Sequence, residues 1–166
     1  KIQQKTPQEA IPLLKQGLKL ESDNANAYFQ LGNARIMQKK FRIALQSFKK
    51  ASEYKPNFWE SLNNQGLVLF EIGKTTEAIQ VWRNVLKIKE NAEPMLALAA
   101  ALHHLQKTNQ ESLILAKKAL NKNPNYISSK HQTEQLWGQK LQKATKELLK
   151  DPKLVAEVER ALANSN

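Results

Sequence analysis

The sequence predicts an all-α solenoid of antiparallel helix pairs. Three observations predict it. The 166-residue chain aligns with itself at a shift of 34 residues, so that Gly32 falls on Gly66 and then on Ala100. Within each unit two stretches carry small and large apolar residues at helical spacing. Turn signals separate these stretches at a constant offset, in Gln38-Lys39-Lys40, Ile72-Gly73-Lys74 and Lys107-Thr108-Asn109.

The elements follow in order. Residues 1–24 match only the second helix of a unit, with Ala10, Leu14 and Gly17 in register. Thr6, Pro7 and Glu9 form the start signal of that helix. The segment reads as the second helix of a truncated N-terminal repeat whose partner helix precedes Lys1, or else as a solitary capping helix. Three full units are expected at 25–58, 59–92 and 93–126. In their first helices Tyr28, Leu31 and Gly32 recur as Leu62, Gln65 and Gly66. In their second helices Ala44, Phe48 and Ala51 recur as Ala78, Trp82 and Val85, then as Ser112, Ala116 and Ala119. Pro56 and Pro124 mark unit boundaries. The third unit has Ala100 and Ala116 where a small and an aromatic residue stand before, so its helices are expected to pack closer or less firmly. Residues 127–150 read as one helix, with Leu136, Trp137, Leu141, Leu148 and Leu149 inward and Lys140, Lys143, Lys146 and Lys150 wet. That helix is expected to cap the end of the solenoid, with Trp137 sealing it. Asp151-Pro152 starts a last helix. The whole, 127–166 included as capping helices, is one continuous domain of about nine helices.

These positions resemble the tetratricopeptide-repeat (TPR) family. The resemblance implies a right-handed superhelix in which the first helix of each unit lines a concave face. Carried over position by position, it implies a partner-binding groove of Asn26, Phe29, Asn33, Ile36, Met37, Glu60, Asn63, Asn64, Leu67, Phe70, Ala97, Leu98, Ala101 and His104. Amides donate and accept, so asparagine suits the backbone of an extended peptide. Phe29, Phe70 and Met37 suit apolar side chains of a partner. TPR domains that hold chaperone C-terminal carboxylates use Lys, Asn, Asn, Lys and Arg along this groove. Phe29, Asn33, Asn64, Pro94 and Leu98 stand there, so both amides match and all three cations are missing.

Charge and composition exclude several function classes. Lys plus Arg is 26 and Asp plus Glu is 15, a net charge of +11. The three first helices hold only Arg35 among basic residues, against Glu60, Glu71 and Glu93. The rest of those units holds 14 Lys and Arg against 4 Glu. A cation-poor hollow with a basic outer face argues against a phosphate-tracking groove, and so against nucleic acid as partner. With no Cys there is no thiolate nucleophile and no Cys-based zinc site. Gly73-Lys74-Thr75 lacks the glycine a phosphate loop needs at Val68, and the region before it reads as helix where a strand is needed. His103 reads as a packing residue, while His104 and His131 map to the concave side. No catalytic constellation, cofactor motif or metal-ligand set is evident. Trp59, Trp82 and Trp137 read as structural.

The expected function is non-catalytic: a protein-interaction domain that binds a peptide or helix of a partner in its groove and scaffolds or assembles a complex. An alternative is a self-associating module, a homo-oligomer formed through the truncated N-terminal repeat. The tail Glu134-Gln135-Leu136-Trp137-Gly138, with Leu148-Leu149 and Asp151-Pro152, is similar to tails of TPR proteins from cyanobacteria and plastids. That similarity implies a further alternative, an assembly factor for photosynthetic membrane complexes. Membrane contact would then be indirect or through a segment before Lys1.

Overall fold

Seven helices in antiparallel succession form the body of the solenoid. A computed structural model describes residues 6–166. Helix α1 (Pro7–Leu20) begins at Thr6, whose backbone N–H donates to Glu9 Oε2 at 2.9 Å. Ile11 and the half-buried Leu14 and Leu18 pack it on Leu31 and Ala34 of α2 (Ala25–Met37). The first pair is completed by α3 (Phe41–Tyr54), the second by α4 (Trp59–Glu71) and α5 (Thr75–Ile88), the third by α6 (Ala92–Leu105) and α7 (Gln110–Lys122). Asn24, Asn91 and Asn109 cap α2, α6 and α7 by accepting from backbone N–H groups of the first turn.

The repeat spacing becomes packing in a direct way. A Cβ added at Gly32 would stand 2.5 Å from the Phe48 ring, and one at Gly66 2.5 Å from the Trp82 indole. Phe48 and Trp82 are wholly buried, so each aromatic fills the space its glycine leaves. In the third pair Ala100 and Ala116 are also wholly buried, small against small, and Ser112 Oγ donates to the Ala99 carbonyl at 2.6 Å. Successive pairs are laced by polar side chains. Ser61 Oγ donates to the Phe48 carbonyl at 3.0 Å, and Gln65 Nε2 to Ser52 Oγ at 2.8 Å. The tight turn after α2 needs a left-handed residue at Lys39 (φ 57°), and the one after α4 places Gly73 there (φ 84°).

The C-terminal region departs from expectation. Residues 127–150 are not one helix. A 3-10 turn (Pro124–Ile127), a short α8 (Ser129–Glu134) and α9 (Gln139–Leu148) replace it, so that ten α-helices and two 3-10 turns stand among the described residues where about nine helices were expected. The break falls at Leu136-Trp137-Gly138, where Leu136 takes φ 67° and a side chain on Gly138 would collide with the Glu71 carboxyl. Nor does α9 cap the end of the solenoid. It packs against α6 and, less extensively, α4, the first helices of two pairs. Leu141, Thr145 and Leu148 are wholly buried there. The physical reason is the apolar surface of α6, where every residue from Ala92 to His103 is buried. Burying each leucine contributes about 1.5–3 kcal/mol. The last turn restarts as a 3-10 segment (Pro152–Leu154) capped by Asp151, and α10 (Val155–Asn164) follows. This helix, not α9, packs on α7 and on the turn before α8.

Candidate functional site

The first helices of the three pairs, α2, α4 and α6, carry the face that the resemblance implies as the groove, and α9 packs on α6 and α4. Two contacts fix α9 there. The carboxylate of Glu71 accepts from the backbone N–H of Leu141 at 3.0 Å and of Lys140 at 3.3 Å, which satisfies the first turn of α9. Trp137 Nε1 donates to Glu93 Oε1 at 3.0 Å, and both residues are buried. Trp137 therefore packs between α6 of the last pair and Tyr126 just beyond α7.

The groove residues read from the sequence fall into two groups. Asn26, Met37 and His104 are exposed, and Phe29, Asn33 and Glu60 half-buried. Ile36, Asn63, Asn64, Leu67, Phe70, Ala97, Leu98 and Ala101 are buried, which corrects their reading as free contact residues. Ala97, Leu98 and Ala101 share one apolar cluster with Leu141, Ala144 and Leu148 of α9. Asn63 Oδ1 accepts from the Trp82 indole at 3.2 Å, and its amide donates to Asn64 at 3.3 Å. Asn64 in turn donates to Asn33 Oδ1 at 2.9 Å, joining α4 to α2. Phe29 packs on Phe58 and Phe48 with ring centroids 4.8 and 5.9 Å away. The open surface is thus the edge formed by α2 and the start of α4, around Asn26, Phe29, Asn33, Met37 and Glu60.

The expected cation-poor hollow is corrected as well, because α9 delivers cations to it. Lys140 and Lys143 line a cavity of about 640 Å³ together with Lys107, His103 and His104. His104 lies edge-on to Phe70 at 5.5 Å, and His131 edge-on to Tyr126 at 4.6 Å, so each meets a separate ring. Among the described residues no group of three or more His, Cys, Asp or Glu is placed to hold a metal ion, and no helix is long and apolar enough to cross a membrane.

Sequence reasoning missed Glu93. Burial pushes its carboxyl above the usual range, while Trp137, Asn63 and Tyr126 pull it the other way, Trp137 most strongly. A carboxyl raised in the folded state keeps its proton in a pH window where the unfolded chain has lost it. Stability from this group is full below the unfolded value and is lost as pH rises through the folded one. Glu93→Gln removes that slope. Urea midpoints of the two proteins are expected to differ most, in favour of the variant with its neutral amide, near about pH 8, and to converge near about pH 4.

The family model of the tetratricopeptide repeat matches residues 1–63. By sequence the chain is similar to superkiller complex protein 3 of Mus musculus, 29% identical over 97 residues. That match spans 58% of this chain and only 6% of that protein. By fold it is similar to the crystal structure of MamA, 18% identical with a TM-score of 0.67, covering 92% of this chain and 85% of that one. It is similar to the MamA fragment 41-end from Desulfovibrio magneticus RS-1, 21% identical with a TM-score of 0.67, covering 93% and 86%. YrrB, described as a TPR protein with an unusual peptide-binding site, is 16% identical with a TM-score of 0.63, covering 95% and 84%. In the repeat that its first 63 residues carry and in the helical solenoid it folds into, the chain is similar to tetratricopeptide-repeat proteins.

Proposed function

We propose that the chain is a non-catalytic protein-interaction scaffold that receives a peptide or helix of a partner on its concave face. One observation carries the reading: the face already holds an amphipathic helix, α9, by the contacts that helix-in-groove recognition uses. Leu141, Ala144 and Leu148 lie at spacings of three and four and bury together on the face. A partner segment adds beside α9, on the edge left open by Asn26, Phe29, Asn33, Met37 and Glu60. Met37 is 58% exposed and gives that edge an adaptable apolar contact. The printed description of YrrB as a peptide-binding TPR protein supports the same class of ligand.

The test selects peptides from a random library on the full chain and measures them against Met37→Glu. The charge lies on an exposed position, so circular dichroism stays unchanged while affinity falls roughly 10-fold or more, as for loss of one apolar anchor. Peptides that bind the variant as tightly as the parent would overturn this site.

A second reading, self-association, is favoured by α1. Leu13 and the 86% exposed Leu20 border a cavity of about 410 Å³ between α1 and α2. Light scattering over a range of concentrations separates the readings, since a strict monomer removes this one.

A further inference from the structure

We propose that the cavity enclosed by α9, the end of α6 and the turn between α4 and α5 is a recognition site for a carboxylate-bearing segment of a protein partner. The inference rests on the reading of the chain as an interaction scaffold and names the chemistry of what it receives. The cavity, of about 640 Å³, is large enough for two or three side chains. Three lysines line it from two elements, Lys107 beyond α6 and Lys140 and Lys143 on α9. None of the three forms an ion pair with a described residue, whereas Lys50, Lys74 and Lys150 pair with glutamates three residues away. The single acid on the wall, Glu147, is engaged at 2.8 Å by Lys150. The site therefore carries three lysines against one carboxylate, Glu147, whose carboxyl is held below its usual range by Lys150 first and by Lys107 and Lys143 as well, and the balance is positive.

His103 is the second, independent observation. It lines the cavity, is only 6% exposed, and has no hydrogen-bond partner among the described residues. Burial first, and Lys107 second, hold its imidazole below the usual range, so at neutral pH it is uncharged and keeps one ring N–H to donate. A ligand carboxylate in the cavity can accept from that N–H. Thr75 brings the N-terminus of α5, which has no side-chain cap, to the same wall. His104, exposed and edge-on to the buried Phe70, supplies a ring surface for the residue beside the carboxylate.

The arrangement favours a peptide over a nucleic acid. A phosphate backbone needs cations spread along a track, while here they close around one recess that has an aromatic wall and Glu147 at its side. These residues also lie apart from the positions where TPR carboxylate clamps hold their ligands, Phe29, Asn33, Asn64, Pro94 and Leu98. The recess exists because α9 folds back.

The probe is a fluorescein-labelled hexapeptide of alternating glutamate and phenylalanine, titrated into the full chain by fluorescence anisotropy. A lysine–phenylalanine counterpart and inorganic phosphate serve as further arms, and the His103 ring resonances are followed by NMR. The acidic peptide is expected to bind and to shift the His103 signals, with affinity falling as salt rises. Lys107→Gln with Lys143→Gln, both in charges without ion pairs, should weaken it roughly 10-fold or more, as for two charge-assisted hydrogen bonds. Three results would overturn the proposal: no binding, equal binding by the double variant, or the same His103 shift from phosphate at equal concentration. In each of these cases peptides that depend on Met37 still report separately on the open edge, so this site can fail while the scaffold reading stands.

Discussion

Replacing Trp137 with alanine is expected to lower stability by about 3–5 kcal/mol, the usual cost of truncating a buried tryptophan. It should also loosen α9 selectively. Trp137 is 3% exposed and sits between Tyr126, 5.8 Å away ring to ring, and the Glu93 carboxyl. Its loss opens a cavity and removes a hydrogen-bond donor from a buried acid. Trp137→Phe separates the two effects. It keeps most of the ring volume and deletes the donor, so the expected cost is about 1–3 kcal/mol. Urea unfolding gives the magnitudes. Hydrogen exchange gives the location, because the amides of α9 should lose protection in Trp137→Ala before those of α4 and α5 do. Uniform loss of protection across all helices would mean that α9 and the repeats unfold as one unit and that Trp137 is not a separable clasp.

The repeat body was legible in the sequence because its contacts are local. Gly32 and Phe48, or Gly66 and Trp82, lie within one helical hairpin, and the shift of 34 residues repeats their geometry. The place of α9 was not legible for the opposite reason. Its clasp joins Trp137 to Glu93 across 44 residues, with no spacing rule to link them. The stripe of Leu141 and Leu148 announces that something must cover this helix but not what. One signal was present: Gly138 interrupts the stripe, and glycine inside a helix is unfavourable by about 1 kcal/mol. Read as a break, it would have detached Leu136 and Trp137 from the helix that follows. The candidate groove was legible only as a list of positions on one face. Whether Asn63 is offered to a ligand or bonded to Trp82 depends on side-chain geometry 19 residues away. The same holds for Lys140 and Lys143, whose wet face becomes the wall of a recess once α9 turns inward.

A strong energetic coupling is expected between Gly66 and Trp82. Trp82→Ala alone is expected to cost about 3–5 kcal/mol, since the indole is wholly buried and its N–H bonds Asn63. Gly66→Ala alone should cost about 1–3 kcal/mol, because a Cβ 2.5 Å from a rigid ring forces a backbone or side-chain shift. In the absence of the indole, that clash disappears. The same Gly66→Ala change then gains helix propensity, about 1 kcal/mol, and its sign reverses. The third pair carries this combination naturally, with Ala100 against Ala116, both wholly buried. A double-mutant cycle by urea unfolding at constant m-value measures the coupling, which should be about 2 kcal/mol or more. Additive effects would show that α4 and α5 adjust freely around the extra methyl. The fixed approach of the two helices would then come from the rest of the hairpin, and the small-large pairing would not set the spacing of the repeat.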